Sequence, residues 1–282
     1  IQCVSGGNSF PSGNYWPEAP SSRRLKTSAR LNPPEIAERS FPKVPKRQAM
    51  PSVREGPGEL LFAGPPGWLL APEGAAIFPP DQVAVIADVH LGYEWARASG
   101  GDIVPSHSLG ETLDKLDRLL ARVQINRLVV AGDLTESASP CPRTARDVLR
   151  LRAWLEVRQV TLCHLAGNHD PPCRPALPES LIVAGWTIVH GHRPILADRV
   201  IFGHHHPSLR AGGYSAPCFL FDETTIALPA FSRNAAGLDV GSAPLPKAFR
   251  GRPLRCVAGM GAELLDFGLL DPLRKQLAIR RA

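Results

Sequence analysis

Three short apolar runs in the middle of the chain, Val83-Ala84-Val85-Ile86-Ala87, Arg127–Ala131 and Val160–Leu165, each break off into a cluster of polar residues. A nearly continuous apolar run of this length suits a strand buried on both faces. Asp88-Val89-His90 follows the first run, Gly132-Asp133 the second and Gly167-Asn168-His169-Asp170 the third. Two later runs behave alike: Trp186–Val189 ends in His190-Gly191-His192, and Val200–Phe202 ends in Gly203-His204-His205-His206. Ligand sites in open α/β sheets gather at the carboxyl ends of strands. Five polar clusters at five strand ends therefore predict one convergent site.

The segments between these runs set the expected architecture. Leu109, Leu113, Leu116, Leu119, Leu120 and Val123 recur at helical spacing, which predicts a helix over Ser108–Val123, and a second is expected over Thr144–Val157. Upstream, Glu59–Ala63, Trp68–Ala71 and Ala75–Phe78 read as a small antiparallel meander at a sheet edge. Downstream of the Pro-rich loop Pro171–Pro178, strands are expected at Phe219–Phe221, Thr225–Leu228 and Ala262–Phe267, and Arg233–Pro253 reads as a long surface loop. A βαβαβ half joined to a strand-rich half predicts an α/β protein with two sheets packed face to face and helices outside.

The composition, 44% hydrophobic and 21% charged, places the chain in the ordinary globular class. The net charge of +6 is unevenly spread. Residues 1–49 hold eight Lys and Arg against three Glu, five of the six net positive charges, in a stretch rich in Ser, Pro, Asn and Gly. Such a stretch cannot bury enough apolar surface to offset its ordering entropy, so residues 1–57 are expected to be a disordered basic tail and 58–282 the folded domain. Met50, the first of only two methionines, is a candidate start of translation. No apolar run long enough for a membrane span is present, and no signal-peptide pattern appears. The six cysteines are scattered without a C-x-x-C pair, which points to a reducing cytoplasm.

Carboxylates and imidazoles at one point favour Mn²⁺, Fe or Zn²⁺ over an all-oxygen Mg²⁺ or Ca²⁺ cage. So many candidate ligands suit two metals better than one, with Asp133 the candidate bridge. In this order and strand context, D-x-H, G-D, G-N-H-D, H-G-H and G-H-x-H resemble the calcineurin-like metallophosphoesterases over roughly Val83 to Pro207. The resemblance implies a four-layer α/β/β/α sandwich. It implies that Asp88, His90 and His206 hold the first metal, that Asp133 bridges, and that Asn168, His190 and His204 hold the second. His169 would be the catalytic histidine, with His190 favoured over His192 as ligand. Asp170 either orients His169 or caps the next segment. The strings Asp88–Glu94, Gly203–Pro207 and Leu228-Pro229-Ala230-Phe231 look like those of bacterial and archaeal phosphoesterases related to the ligase-associated DNA damage response endonucleases. One departure is Ser232-Arg233-Asn234-Ala235-Ala236-Gly237, where that group often carries a glycine pair and an aromatic residue.

Outside the ligand set, His205 alternates with two expected ligands, so it should face away from the metals or into a substrate cleft. Arg97 is a candidate phosphate contact, its plain alternative being a solvated charge like Glu94 beside it. Cys163 and His164 read as packing residues, and His107 as a cap or an exposed side chain. The expected activity is hydrolysis of a phosphodiester by a metal-activated hydroxide, with two divalent cations, Mn²⁺ foremost and Fe, Zn or Ni as alternatives. DNA is the substrate the resemblance implies, with ligase- or helicase-associated repair proteins as partners. A near-neutral domain with few aromatic residues has no evident strand-binding groove, so a small nucleotide phosphoester is the alternative substrate. A metal-stabilised module without chemistry is the other class of function.

Overall fold

A computed structural model of the chain describes residues 61–172 and 176–281. The expected basic tail, the proposed boundary at residue 58 and Met50 lie outside the described residues. The first sheet has six strands, β1 (Phe62–Ala63), β2 (Leu69–Ala71), β3 (Ala75–Phe78), β4 (Val83–Ile86), β5 (Arg127–Val130) and β6 (Thr161–His164), in that order across the sheet. The meander β1 to β4 is antiparallel, whereas β4, β5 and β6 run parallel with Ile86, Val130 and His164 in register. Helix α1 (Tyr93–Ser99) and α2 (Ser108–Arg122) connect β4 to β5, and α3 (Pro142–Val157) connects β5 to β6.

The second sheet holds nine strands: β7 (Ser180–Val183), β8 (Trp186–Val189), β9 (Val200–Phe202), β10 (Pro207–Ala211), β11 (Tyr214–Phe221), β12 (Thr225–Ala227), β13 (Leu238–Asp239), β14 (Arg255–Met260) and β15 (Glu263–Leu269). Helix α4 (Leu270–Arg281) follows β15. Strands β8, β9 and β12 are parallel, with Val189, Phe202 and Ala227 in register, so their carboxyl ends share one edge.

Period-2 alternation decides which residue enters which layer. Val83 and Val85 of β4 and Val129 of β5 face Ile201, Phe219, Phe221 and Val257 of the second sheet and form the core between the sheets. Their neighbours Ala84, Ile86, Leu128 and Val130 point the other way, onto Leu116 and Leu119 of α2 and Leu151 and Leu155 of α3. On the far side, Val200, Phe202, Cys218 and Leu220 pack against Leu270 and Leu273 at the start of α4. The chain is therefore a two-sheet sandwich flanked by helices, as its strand and helix pattern predicts. Each fully buried Leu or Phe in these layers contributes about 1.5–3 kcal/mol relative to exposure.

Several elements depart from the sequence reading. Helix α1, the second-sheet strands β7, β10, β13 and β14, and α4 were not expected, and β11 begins at Tyr214, five residues before the expected Phe219. These segments carry mixed patterns: β10 is buried over Pro207–Leu209 and exposed at Arg210 and Ala211, so no alternation marks it as a strand. The expected loop Arg233–Pro253 is interrupted by β13 and by a 3₁₀ turn at Lys247–Phe249 that buries Phe249. No helix among the described residues is long and apolar enough to cross a membrane.

Candidate metal centre

Asp88, Asp133, Asn168, His190 and His204 all stand just past strand ends that parallel register brings to one edge of the sandwich. The loops are laced together there. Val89 N and His90 N both donate to Asp133 O at 2.9 and 3.0 Å, and Leu91 N donates to Leu134 O at 2.9 Å. Across the sandwich, Phe231 N donates to Ala87 O and Ser232 N to Asp88 O, at 2.9 and 3.0 Å, so the segment after β12 is bound to the D-x-H turn.

Five candidate ligands hold left-handed backbone conformations: Asp88 (φ 57°), His90 (φ 51°), Asp133 (φ 51°), His204 (φ 66°) and His206 (φ 45°). For a non-glycine residue this costs roughly 1–3 kcal/mol each and persists where the surroundings over-determine it, commonly at functional sites. The glycines of the motifs make the crowding feasible. A Cβ on Gly167 would lie 2.1 Å from Asp133 Oδ1, and one on Gly203 would lie 2.4 Å from Asp88 Oδ2.

Two groups of ligand atoms result, each with all its atoms within 4.8 Å of one another: Asp88, His90 and His206, and Asp133, His190 and His204. Each carboxylate is divided between frame and site. Asp88 Oδ2 accepts from His204 N at 2.9 Å, while Oδ1 is buried with no hydrogen-bond partner. Asp133 Oδ1 accepts from His169 N at 2.8 Å, and Oδ2 lies 3.1 Å from His190 Nε2. His206 Nε2 approaches Asp88 Oδ1 to 3.1 Å without hydrogen-bond geometry, and both His90 ring nitrogens are likewise buried without a hydrogen-bond partner among the described residues. Converging lone pairs of this kind suit a shared cation better than a proton, and mixed carboxylate and imidazole donors suit Mn²⁺, Fe or Zn²⁺.

The frame also sets the histidine tautomers. A carbonyl can only accept, so His190 Nδ1 donates to Ala131 O at 2.9 Å and turns Nε2 toward Asp133 and the Asn168 Oδ1 at 3.1 Å. His192 lies outside both groups, its ring 5.2 Å from that of His190. Burial pushes the Asp133 carboxyl up, but the His190 hydrogen bond and charge and the His169 amide bring it to about 2. Burial lowers His190, and the Asp133 bond with the Asp88 and Asp133 charges more than reverses this. Burial, aided by His190 and His205, holds His204 at about 4, which leaves its imidazole neutral at pH 7 and free to ligate.

His169 stands beside the first group, its ring centroid 5.2 Å from that of His90, and its Nδ1 donates to Glu136 O at 2.7 Å. Asp170 does not orient it. The Asp170 carboxylate is buried and accepts from Asp133 N, Gly167 N and Thr135 N at 2.9, 3.0 and 3.1 Å, and from His164 Nε2 at 2.9 Å. It closes the turns around Asp133, upstream of it and not in the next segment, and His164, read from the sequence as a packing residue, is its partner. Arg97, on α1, pairs with Asp102 just beyond that helix at 2.6 Å. His205 belongs to neither group; its ring stands edge-on to Phe202 and Phe249 and 5.1 Å from that of His204. Glu94 is buried and takes a hydrogen bond from Ser106 Oγ at 3.2 Å, contrary to the solvated reading.

Sequence reasoning missed Glu136. Its Oε2 lies 2.9 Å from His90 Nδ1, and with His90 and His169 it completes a third group of potential ligands. Its position three residues after Asp133, in the same loop after β5, was the available signal.

No family model matches the chain. Among solved structures, the crystal structure of Pseudomonas putida nuclease MPE superimposes with a TM-score of 0.54 and 24% sequence identity, over 72% of this chain and 98% of that one. At that identity the likeness establishes the shared two-sheet fold.

Proposed function

We propose that the chain is a binuclear metal-dependent phosphodiesterase, Mn²⁺ being the expected cofactor, with a nucleic acid as its substrate. The observation that carries the reading is the pair of Asp/His groups at one edge of the sandwich, with buried ligand atoms that have no hydrogen-bond partner among the described residues. Asp88, His90 and His206 would hold one cation and Asn168, His190 and His204 the other, with Asp133 between them. Bound there, two divalent cations supply a lowered water pKa and neutralise charge on the phosphoryl oxygens. The protein's own part is positional. Asp88 and Asp133 are each fixed through one oxygen by a backbone amide, so the other oxygen is aimed without further ordering cost. His169, whose Nδ1–H is held by the Glu136 carbonyl, would give a proton from Nε2 to the leaving alkoxide in its doubly protonated form, the ring keeping the Nδ1 proton afterwards.

The nucleic-acid reading draws on the resemblance of the motifs and on the solved neighbour being a nuclease; a role in repair rests on the motif resemblance alone. Hydrolysis of bis-p-nitrophenyl phosphate with Mn²⁺, measured beside the monoester, tests the proposal. Diester turnover is expected in the native chain, falling at least about 100-fold in Asp133→Asn and in His169→Ala, with bound metal retained in the latter. A metal-loaded chain that turns over no diester with Mn²⁺, Fe²⁺, Zn²⁺ or Ni²⁺ would sink it and favour a binding module.

A further inference from the structure

Beside His206 the site opens into a cleft of about 440 Å³ whose wall carries Lys115 and Arg118 of α2 and Arg233 of the segment after β12. Ser208, Ser215 and Ser232 add hydroxyl groups to the same wall. The acid in the lining is Glu73, whose Oε1 accepts from Arg122 Nε at 2.9 Å while its Oε2 is buried without a hydrogen-bond partner among the described residues. Arg118 forms no ion pair among the described residues, and Arg233 approaches Glu111 only to 4.0 Å. The Lys115 ammonium has three donors. One goes to Phe231 O at 2.7 Å, with the Phe231 ring centroid 4.2 Å away.

Like charges gathered on a concave wall raise the free energy of the empty protein and attract an anion. The strain is visible in Lys115, which burial first, then the Arg233 and Arg118 charges, lower to about 8. The cleft is also held in fixed relation to the candidate metal ligands. His206 lines it directly, and the segment bearing Arg233 is tied to the Asp88 turn through Ser232 N.

We infer that this cleft is a phosphate subsite, in which Lys115, Arg118 and Arg233 hold a second phosphate of the substrate next to the scissile one. The inference rests on the phosphodiesterase reading above, which supplies the scissile phosphate. It implies that substrates are distinguished by what lies beyond the reacting linkage. A diester with no further phosphate leaves the three cations unused.

Equilibrium binding to the full, metal-loaded chain tests this without turnover. The probe is a thymidine dinucleotide whose single linkage is an uncharged methylphosphonate, compared with the same compound carrying a terminal 5′- or 3′-phosphate. A trinucleotide whose second linkage is a charged, hydrolysis-resistant phosphorodithioate completes the set. The added phosphate, terminal or internal, is expected to tighten binding about tenfold, the scale of one or two charge-assisted hydrogen bonds. A terminal-phosphate preference alone indicates an end-recognising subsite, and equal preference indicates one that follows a strand. In Arg118→Ala/Arg233→Ala, whose side chains are exposed so that folding is expected to be kept, the gain should shrink to less than about threefold. Lys115→Met provides an independent second variant with the same expected direction. A phosphate preference that survives undiminished in both variants would mean that the metal centre itself takes the added phosphate, and would overturn the subsite. No preference in the native chain would overturn it as well. Because binding is read without hydrolysis, a chain that shows the preference yet cleaves no diester would retire the catalytic reading and leave the subsite standing.

Discussion

At the scale of single residues, the division of labour between Asp170 and its neighbour His169 is the sharpest consequence of the geometry. Five donors converge on the buried Asp170 carboxylate. Asn in its place offers one acceptor oxygen and turns an NH₂ toward groups that themselves donate. Asp170→Asn should therefore cost about 3 kcal/mol of stability, of the order of the several charge-assisted hydrogen bonds lost or reversed. His169→Ala, at a partly exposed ring, should cost less than about 1 kcal/mol. Urea denaturation of the two variants checks this. Equal losses would mean that Asp170 is not the closure of the Asp133 turn. The two residues are adjacent in sequence, and nothing in Gly167-Asn168-His169-Asp170 says which one faces the reaction and which one the frame. That difference comes from the side to which each side chain is turned once the loop has closed over Asp133.

Among the elements, α2 makes an unexpected contribution to the edge of the site. Its inner face is the amphipathic stripe that the sequence predicts, with Leu116 and Leu119 fully buried. Lys115 stands at the border of that stripe, reaching Phe231 and lining the cleft. Its amine is held at about 8 by burial and by Arg233 and Arg118, against partial relief from Glu73 and Glu111. The sign of the pH dependence follows. Between about pH 8 and the ordinary lysine value near 10.4 the unfolded chain binds the extra proton, so this group adds stability as pH rises through that window and loses it as pH falls through 8. The Tm of the native chain relative to Lys115→Met should therefore increase from pH 7.5 to 10. A difference that is flat or falls over that range would show the amine to be ordinarily solvated. The same helix face was legible as core, while the residue at its border was not, because periodicity marks a stripe and is silent about what the stripe's edge meets.

For the molecule as a whole, the sandwich concentrates its strained turns at one edge, where five non-glycine residues hold positive φ and several buried donor atoms lack partners. A ligand that binds only this folded arrangement stabilises it by mass action, about 2.7 kcal/mol at a hundredfold excess over Kd. Adding Mn²⁺ to chelator-treated protein should thus raise Tm by roughly 5–10 °C, given the usual conversion for a domain of this size. A Tm unmoved by Mn²⁺, Zn²⁺, Fe²⁺ and Ni²⁺ would show that the groups are satisfied without a cation.

The sequence by itself determined the layers and the order of the motifs, because burial on two faces leaves an apolar run such as Val83–Ala87 and burial on one face leaves the helical stripe of α2. Its polar clusters were legible for the complementary reason: nothing in a buried strand calls for His or Asp at its end. Tertiary structure decided the rest. It separated His190, within a group of ligand atoms, from His192 outside it, turned Arg97 away to Asp102, and brought Glu136 to His90 and Arg233 to the wall beside His206. Those outcomes depend on register, on left-handed turns and on contacts between separate segments, such as Glu136 with His90 and Ser232 with Asp88, and the periodicity of apolar residues along the chain carries no record of them.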